Sequence, residues 1–498
     1  MRRRRAATAA ALCLLALAAA ACTGGGGGGR AAQPTTTGGG EIIVASGLDV
    51  TGSDGVRQQL IEQWNGTPEG RRHPARLVEL PGEADQQRSQ LLGALQSGSS
   101  AYDVVNLDVT WVPEFAQAGL ISPLDHQMNL DDGDVIPSVA GTARWDGHTY
   151  AAPFNSDVGL LYYRADTIKA IGIDPASFPK ADTTWQELQT LISDVDADKD
   201  HQPEGYMAGW TSQLGAYEGL TVNAIEAFAS VGVQLADAEG HYTADPAKLR
   251  AALSELKSRA GHDETLPEAL TSDESTSLGD FAAGHTVFLR HWPYAYGALS
   301  RTFGPSRMQV ARLPGKAVLG GQNLAVAAGS PRAKYALDLV KYLTDAQSER
   351  CLLDAGFAAT RESAYKDAKV RCTLAPGTKG SGGSGGSGGA SGSGGAGGAG
   401  GSGGSPSPGA SASSESLDMP RDADGRPAYA ASTLLPALTQ AVQRPRTPYY
   451  GALTQLLQAQ LHDWISDTGP FSGGGSSIDP GPLADSLDRS LAKILKGK

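Results

Sequence analysis

The chain has 498 residues and a formal net charge of -12 at neutral pH. This length exceeds what one hydrophobic core usually supports, so we expect two lobes or domains. An acidic chain offers no broad basic surface for phosphates, so we exclude a nucleic-acid partner. The acidic residues are spread along the chain, which is typical of an ordinary solvated surface.

The first residues indicate an export signal. A basic start, MRRRR, precedes an apolar stretch that is too short to span a bilayer as a stable helix. The stretch ends in AAAC, from Ala19 to Cys22. Small residues before a cysteine resemble the lipobox of bacterial lipoproteins, which implies a signal peptide over 1–21 and a lipid anchor on Cys22. The alternative is a secretory signal cleaved after Ala-Xaa-Ala. In both cases we expect an exported protein, and the lipid anchor places it at the extracellular face of the cell membrane.

Two glycine-rich tracts stand out in the composition. The first, over 22–40, predicts a flexible tether between the anchor and the fold. The second, over 377–406, has the composition of an engineered flexible linker. From composition alone it is either a boundary between two domains or a long disordered loop inside one.

The four cysteines fit an exported protein. Cys13 leaves with the signal peptide and Cys22 carries the lipid, so Cys351 and Cys372 remain as a pair. In an oxidising compartment we expect this pair to form a disulfide. Neither cysteine has the neighbouring cysteine or histidine spacing of a metal site, and we predict no metal and no cofactor.

Strands and helices alternate from residue 41 onward. The segments EIIVASG, ARLVELPG and YDVVNLD predict strands, and the segments between them have helical spacing. This order predicts an α/β fold with a parallel sheet and helices on both of its faces. Ligands of such sheets lie beyond the carboxyl ends of the strands, which makes Asp49 and Asp108 candidate site residues.

The rest of the chain continues in mixed α/β fashion. A turn is predicted at Asp146 and Gly147, and a strand from Val158 to Tyr163, in which Tyr162 and Tyr163 are expected to pack in the core. A helix is predicted after a cap at Thr183 or Thr184. Further helices dominate 206–281, and the segments HTVFLRHW, MQVARLPG and NLAVAAG predict strands.

The order of several segments resembles a known family. The segments are YDVVNLDVTWVPEFAQAGLISPLD, YAAPFNSDVGLLYYR, FAAGHTVFLRHW, LGGQNLAV and YLTDAQSERCLLDAGFAATRES. They are similar to the sugar-binding lipoproteins of ABC importers, the extracellular solute-binding proteins of the maltodextrin and trehalose type (family 1). The resemblance implies a two-lobed, periplasmic-binding-protein-like fold of type II with a ligand cleft between the lobes. It also implies a monomer that captures a di- or oligosaccharide and delivers it to an ABC permease.

The resemblance resumes after the second glycine tract. The segment AVQRPRTPYYGALTQLLQAQLHDWIS is similar to the C-terminal element of the same family. We therefore predict one solute-binding domain formed by 41–376 and 407–498, with 377–406 as a disordered insertion. The resemblance also implies that Arg444 or Arg446 faces the sugar hydroxyls or Asp108, without deciding between the two.

Sugar sites combine aromatic faces, which stack on the apolar side of a pyranose, with polar groups that bond its hydroxyls. Trp292 is the leading candidate for the stacking ring because it precedes a proline, which ends regular strand pairing. A buried tryptophan of the core is the alternative reading.

Several polar residues are candidates for ligand contacts. Asp108 is either a ligand contact or a cap for the helix that follows it. Asn155 or Asp157 is placed in the cleft by the resemblance, although both would also suit a polar loop. Glu274 is either a ligand contact or a carboxylate at a helix start. Further candidates are Tyr217, Glu218 and the two glycines expected to approach the ligand closely, Gly320 and Gly321.

Two other function classes remain open at this stage. An exported carbohydrate-active enzyme would also place acids and tryptophans around a sugar, but the chain carries no nucleophile or zinc-hydrolase motif. A binding protein for a peptide or polyol is the other alternative. The segment DVDADKDHQPEG resembles a calcium loop superficially, but His201 and Met207 occupy the positions where an EF-hand needs glycine and glutamate.

Overall fold

The computed structural model describes residues 33–49, 55–98, 100–175, 177, 183–260, 264–374, 419–467 and 479–495. The predicted signal peptide, Cys22 with its lipid, and the insertion over 377–406 lie outside the described residues. They therefore stay predictions.

Most of the described strands lie where the hydrophobic periodicity of the sequence predicts a strand. They are β1 (Ile42–Gly47), β2 (Ala75–Leu80), β3 (Val104–Asp108), β4 (Arg144–Trp145), β5 (His148–Thr149), β6 (Ala152–Val158), β7 (Leu160–Arg164), β8 (Trp210–Thr211), β9 (Phe288–His291), β10 (Met308–Arg312) and β11 (Leu319–Val326). The β4–β5 hairpin turns at Asp146 and Gly147, as predicted, and both residues adopt positive φ angles of 46° and 73°.

Helices cover both lobes. They are α1 (Val56–Gly66), α2 (Pro68–Arg72), α3 (Ala84–Gln96), α4 (Val112–Gln117), α5 (Pro137–Ala140), α6 (Ala165–Ala170), α7 (Trp185–Ala197), α8 (Glu218–Ser230), α9 (Pro246–Ala260), α10 (Glu274–Ala283), α11 (Ala295–Phe303), α12 (Ala333–Leu343), α13 (Ala346–Ala355), α14 (Glu362–Lys366), α15 (Leu435–Gln440), α16 (Tyr450–Ile465) and α17 (Gly481–Leu495). Thr184 is the cap of α7, because its hydroxyl accepts from the amide of Glu187 and its amide donates to the Glu187 carboxylate. Within the ranges that the structure describes, no helix combines the length and apolar character needed to cross a membrane.

Each lobe is built on its own sheet. The first lobe has five strands in the order β2-β1-β3-β11-β6, and the second has four in the order β10-β7-β9-β8. The expectation of a parallel first sheet is correct only in part. Strands β1, β2 and β3 run parallel, whereas β11 runs antiparallel to both β3 and β6. The reason is that β11 returns from the second lobe and enters the sheet from the opposite end.

In the part of the chain that the structure describes, the chain crosses between the lobes at three places. Gly159 separates β6 from β7, so the single strand predicted over Val158–Tyr163 is two strands in different sheets. The other crossovers are 313–318 and 441–449. They pair through a parallel bridge between Val318 and Val442, and the amide of Gly159 donates to the carbonyl of Val318. Three adjacent crossovers form the base of a cleft.

Both tyrosines predicted in the core are buried. Tyr162 is fully buried and packs in the cluster around β7, α11 and α15, while Tyr163 packs on the opposite face of β7 against α7.

The lobes also touch at the rim of the cleft, where Gln458 Nε2 of α16 donates to Asp85 Oδ2 of α3 over 3.2 Å. This hydrogen bond joins the two walls of the cleft at its rim.

The described part of the predicted tether lies against the first lobe. Thr36 Oγ1 donates to the carbonyl of Ser330, and the Gly38 amide donates to the carbonyl of Pro331. Pro34 is buried. The ordered contacts of the first lobe therefore begin before residue 41.

Cys351 and Cys372 form a disulfide, as predicted, with their Cα atoms 4.6 Å apart. The bond ties α13 to the segment that follows α14 across a sequence separation of 21 residues. A loop of this size restricts the unfolded chain by about 3 kcal/mol in the chain-entropy description.

We expect the double substitution C351A/C372A to lower the free energy of unfolding by about 3 kcal/mol. Denaturant titration of the wild type with and without reductant, next to the double variant, measures this difference. The variant should be insensitive to reductant. Equal unfolding free energies for oxidised and reduced wild type would contradict the prediction.

Candidate functional site

A cavity of about 330 Å³ lies between the lobes, beyond the carboxyl ends of β1 and β3. This is the position that the strand order predicts for a ligand. Nine of the predicted site residues line it, namely Asp108, Asp157, Tyr217, Glu218, Glu274, Trp292, Gly320, Gly321 and Arg444. Asp49, Asn155 and Arg446 do not line it. Both lobes and one crossover thus contribute to a single site.

Trp292 follows β9 directly and is held on three sides. Its indole Nε1 donates to Glu274 Oε1 over 3.2 Å, and the guanidinium carbon of Arg290 lies 3.9 Å from the ring centroid. A Cβ at Gly320 would lie 3.1 Å from Trp292 Cζ3, closer than most Cβ contacts, so glycine lets the strand pass the ring edge without displacing it. Because Arg290 covers one face, the other face is the one that a ligand in the cavity can contact.

Arg290 is itself fixed by a buried ion pair. Its guanidinium donates to both oxygens of Glu226, at 3.0 and 2.7 Å, and the pair is almost fully buried. Glu226 also accepts from the amide of Val318 in the second crossover. The back of the Trp292 ring is therefore anchored to the crossovers at the base of the cleft.

Glu274 positions the aromatic wall. It is the first residue of α10, as predicted for a helix-start carboxylate, and it also lines the cavity, while its contact with a ligand stays a prediction. Its two oxygens accept from Tyr217 Oη at 2.7 Å and from Trp292 Nε1. Burial, followed by the charge of Glu274, raises the pKa of Tyr217 well above its usual value, which keeps this hydroxyl a donor.

Arg444 is the arginine that faces the cleft. Its Nη2 donates to Asp108 Oδ1 and Oδ2, at 2.9 and 3.1 Å, and its Nη1 donates to Glu218 Oε1 at 2.6 Å. Burial alone would lower the pKa of Arg444, but Asp108, Tyr450 and Glu218 outweigh it and raise the pKa well above the usual value. One guanidinium thus joins a first-lobe strand end to a second-lobe helix start.

Arg446 lies elsewhere, and its prediction as a cleft residue is not supported by this placement. Its guanidinium donates to the carbonyl of Arg144 and lines a separate hollow formed by 233–238 and 441–446. Burial and the nearby charge of Arg144 lower the pKa of Arg446. The open choice between the two arginines is resolved geometrically in favour of Arg444.

Asp49 and Asn155 lie behind the cavity rather than in its wall. Asp49 Oδ2 accepts from the backbone amide of Arg57, and Asn155 Oδ1 accepts from Arg57 Nη2 at 3.1 Å. Both residues therefore support Arg57, which lines the cavity and which sequence reasoning missed. The sequence did carry a signal for its burial, because Arg57 follows Val56 directly and lies one helical turn before Leu60, on the apolar face of α1.

Arg57 is held by first-lobe groups on several strands. Its Nη1 donates to Ser46 Oγ at 3.1 Å, and its Nη2 also donates to Gln322 Oε1 at 2.8 Å. The guanidinium stacks on Phe357, 5.1 Å from the ring centroid. Burial lowers the pKa of Arg57, although Asp49 and Asp157 act in the opposite direction.

Asp108 is not the cap of the helix that follows it, because the cap residue of α4 is Trp111, and the contact of Asp108 with a ligand stays a prediction. Its Oδ1 accepts from the amide and the hydroxyl of Thr110, at 2.9 and 2.8 Å, which orders the turn before α4. The same carboxylate accepts a hydrogen bond from Arg444 Nη2. Other cavity residues that the sequence analysis did not single out are Trp111, Tyr294, Gln322, Phe357, Glu83 and Gln87.

Comparison with known proteins identifies the family. The bacterial extracellular solute-binding protein family matches residues 71–373. A probable ABC transporter-binding protein of Deinococcus radiodurans is 33% identical over 312 residues, which cover 59% of this chain and 71% of that protein. The sn-glycerol-3-phosphate-binding periplasmic protein UgpB of Salmonella typhimurium is 27% identical over 280 residues, which cover 50% of this chain and 60% of that protein.

A solved structure supports the fold. Maltose-bound MalE3 of T. maritima superposes with a TM-score of 0.67 at 22% sequence identity, over 92% of this chain and 99% of that chain. This agreement confirms the two-lobed fold predicted from the sequence. With the family match over more than half of the chain, it assigns the protein to a class: the chain belongs to the bacterial extracellular solute-binding proteins.

Proposed function

We propose that this protein captures an uncharged sugar outside the cell and delivers it to the permease of an ABC importer. The observation that carries the proposal is the Trp292 ring, which lines the cavity and has one face covered by Arg290, so that the opposite face is left for a ligand. An aromatic face of this kind suits the apolar side of a pyranose. The cavity of about 330 Å³ is at the small end of the usual ligand-pocket range and favours a sugar of about one or two rings.

The charges around the cavity favour an uncharged ligand over a phosphorylated one. The two arginines of the described lining, Arg57 and Arg444, already donate to protein groups. The carboxylates of Asp157, Glu83 and Asp273 also line the cavity. A dianionic phosphate would meet these acids without a cation released to receive it. Glycerol phosphate, which names the Salmonella relative, is therefore the second candidate and the weaker one.

Binding rather than catalysis is supported by the state of the carboxylates. Glycosidases need two carboxyl groups free to act on the scissile bond. In the cleft Asp108 and Glu218 share Arg444, and Glu274 accepts from Tyr217 and Trp292. These three acids hold the walls in place, and the family to which the chain belongs is one of solute-binding proteins, so we propose that the protein has no enzymatic activity.

We further propose a lipid anchor at Cys22, which rests on the sequence Ala19–Cys22 and lies outside the described residues. Metabolic labelling with a fatty-acid analogue should mark the mature protein. Absence of label on a membrane-associated protein would contradict the anchor.

A thermal-shift panel with trehalose, maltose, maltotriose and sn-glycerol 3-phosphate tests the proposed function. A saccharide at about 100 times its Kd should stabilise the fold by about 2.7 kcal/mol through mass action. We expect a shift with at least one disaccharide and none with sn-glycerol 3-phosphate. A shift with the phosphate alone, or steady consumption of a saccharide, would overturn the proposal.

A further inference from the structure

One carboxyl group of the cleft differs from the others. Asp157 belongs to β6 and lines the cavity, yet neither of its oxygens has a hydrogen bond or ion pair with any residue that the structure describes. Its Oδ1 is fully shielded from solvent. By contrast, Asp108, Glu218 and Glu274 each accept two or more hydrogen bonds. A shielded carboxyl oxygen without a partner is costly unless a ligand or a proton compensates it.

The position of Asp157 relative to the Trp292 ring indicates which group supplies the missing hydrogen bond to its carboxyl group. Gly320 pairs with Asp157 across the sheet, and a Cβ on this glycine would lie 3.2 Å from Asp157 Cβ and 3.1 Å from Trp292 Cζ3. The Cβ of Asp157 and the edge of the Trp292 ring therefore both lie close to Gly320. A pyranose stacked on the free face of that ring would bring a rim hydroxyl to Asp157.

We propose that Asp157 is a specificity-determining residue that accepts a hydrogen bond from a ligand hydroxyl in its ionised form, so that sugar capture is coupled to proton release from this carboxyl. This inference rests on the proposed function and adds a requirement to it. The ligand must offer a donor at the edge of the stacked ring, and an acceptor-only group such as a phosphate monoester dianion is disfavoured there.

The titration of Asp157 follows from its surroundings. Burial raises the pKa of Asp157 to about 7; Asp108 acts in the same direction, while Arg57, Arg290 and Arg444 oppose it. Tyrosines also face it from neighbouring elements, namely Tyr162, Tyr294, Tyr365 and Tyr429. A donor from the ligand favours the ionised form and lowers the pKa in the complex. Affinity should therefore rise with pH up to about 7 and level off above it.

Calorimetric titration of trehalose and maltose between pH 5.5 and 8.5 tests the inference. Each unit by which the ligand lowers the pKa of Asp157 is worth about tenfold in affinity, so we expect a rise of at least about fivefold across this range. Binding near pH 7, measured in two buffers that differ in ionisation enthalpy, should release a fraction of a proton. This second measurement needs no variant.

Two variants localise the effect. D157N keeps the shape of the side chain without the titration, and its affinity should change by less than about twofold over the same range. E83Q is the matched control, because burial and the acids Asp273, Glu274 and Asp85 raise the pKa of the cavity residue Glu83 too. E83Q should keep the pH dependence of the wild type.

The outcomes separate this inference from the proposed function. A wild type that binds either disaccharide with pH-independent affinity, or a D157N that keeps the full pH dependence, overturns the role of Asp157 and leaves the proposed function standing. If neither disaccharide binds at any pH, the proposed function fails and this inference fails with it.

Discussion

Replacing Trp292 with alanine is expected to weaken disaccharide binding by at least about tenfold, which corresponds to about 1.4 kcal/mol. The substitution removes the ring on which a ligand would stack and frees the carboxylate of Glu274 from its indole donor. It also exposes the Arg290 guanidinium, which in the wild type packs on the ring with its carbon 3.9 Å from the ring centroid. The wall would lose its flat apolar face and gain unpaired polar groups.

Calorimetry on W292A, W292F and W464F measures the effect. W292F keeps an aromatic face without the indole donor, so its affinity should lie between those of wild type and W292A. Trp464 is almost fully buried in α16, away from the cavity lining, and makes a matched control that changes stability but not affinity. A folded W292A with the affinity of the wild type would show that the stacking assignment is wrong.

Much of this wall was predictable because its signals are local. Trp292 precedes a proline at the end of a strand, Asp108 ends a buried strand, and Gly320 with Gly321 interrupts a third. Each signal depends on a few neighbouring residues and on the rule that ligands lie beyond strand ends. Gly321 has a φ of +107° and no room for a Cβ beside the Asn155 carbonyl, while the close approach of both glycines to a ligand stays a prediction.

Arg57 was not predictable in the same way because its partners are distant in sequence. Asn155 and Gln322 lie 98 and 265 residues further along the chain, on strands that meet only after the chain has crossed to the second lobe and returned. The antiparallel direction of β11 has the same origin. Local periodicity predicts a strand there but does not encode which way it enters the sheet.

The choice between Arg444 and Arg446 also depended on tertiary structure. Side chains two residues apart in a regular strand share one face, but this crossover is irregular. The bridge between Val318 and Val442 sets where the segment lies, and from there Arg444 lines both the cleft cavity and the separate hollow, whereas Arg446 lines the hollow and not the cleft cavity. The resemblance located the pair, and only the assembled crossovers separated its members.

Replacing Arg444 with methionine is expected to lower the free energy of unfolding by about 3 to 5 kcal/mol, the usual cost of leaving buried charges unpaired. Arg444 is the cation shared by Asp108 and Glu218, and its side chain is 2% exposed. Glu218 also accepts from Tyr450 and Thr454, so it stays fixed in place when the guanidinium is lost. The two acids would then repel each other across the cleft.

The pH dependence of this loss has a definite sign. Burial raises the pKa of Glu218 even with Arg444 present, and removing the guanidinium raises it further. A carboxyl group whose pKa is higher in the folded state than in the unfolded state destabilises the fold once the pH exceeds the unfolded value. The R444M defect should therefore be largest at neutral and higher pH and should shrink in acid, as Glu218 takes up a proton.

Denaturant unfolding of R444M, R446M and R444M/E218Q at several pH values tests this account. R446M is the matched control, because Arg446 lies two residues away in the same crossover and donates to a backbone carbonyl rather than to a carboxylate. It should cost no more than about 1.5 to 3 kcal/mol, the usual range for one hydrogen bond that involves a charged group, and this loss should not shrink in acid. R444M/E218Q should regain part of the stability that R444M loses, because the amide needs no cation. Equal losses for R444M and R446M, or an R444M defect that does not shrink in acid, would mean that Arg444 is not the cation that holds the base of the cleft together.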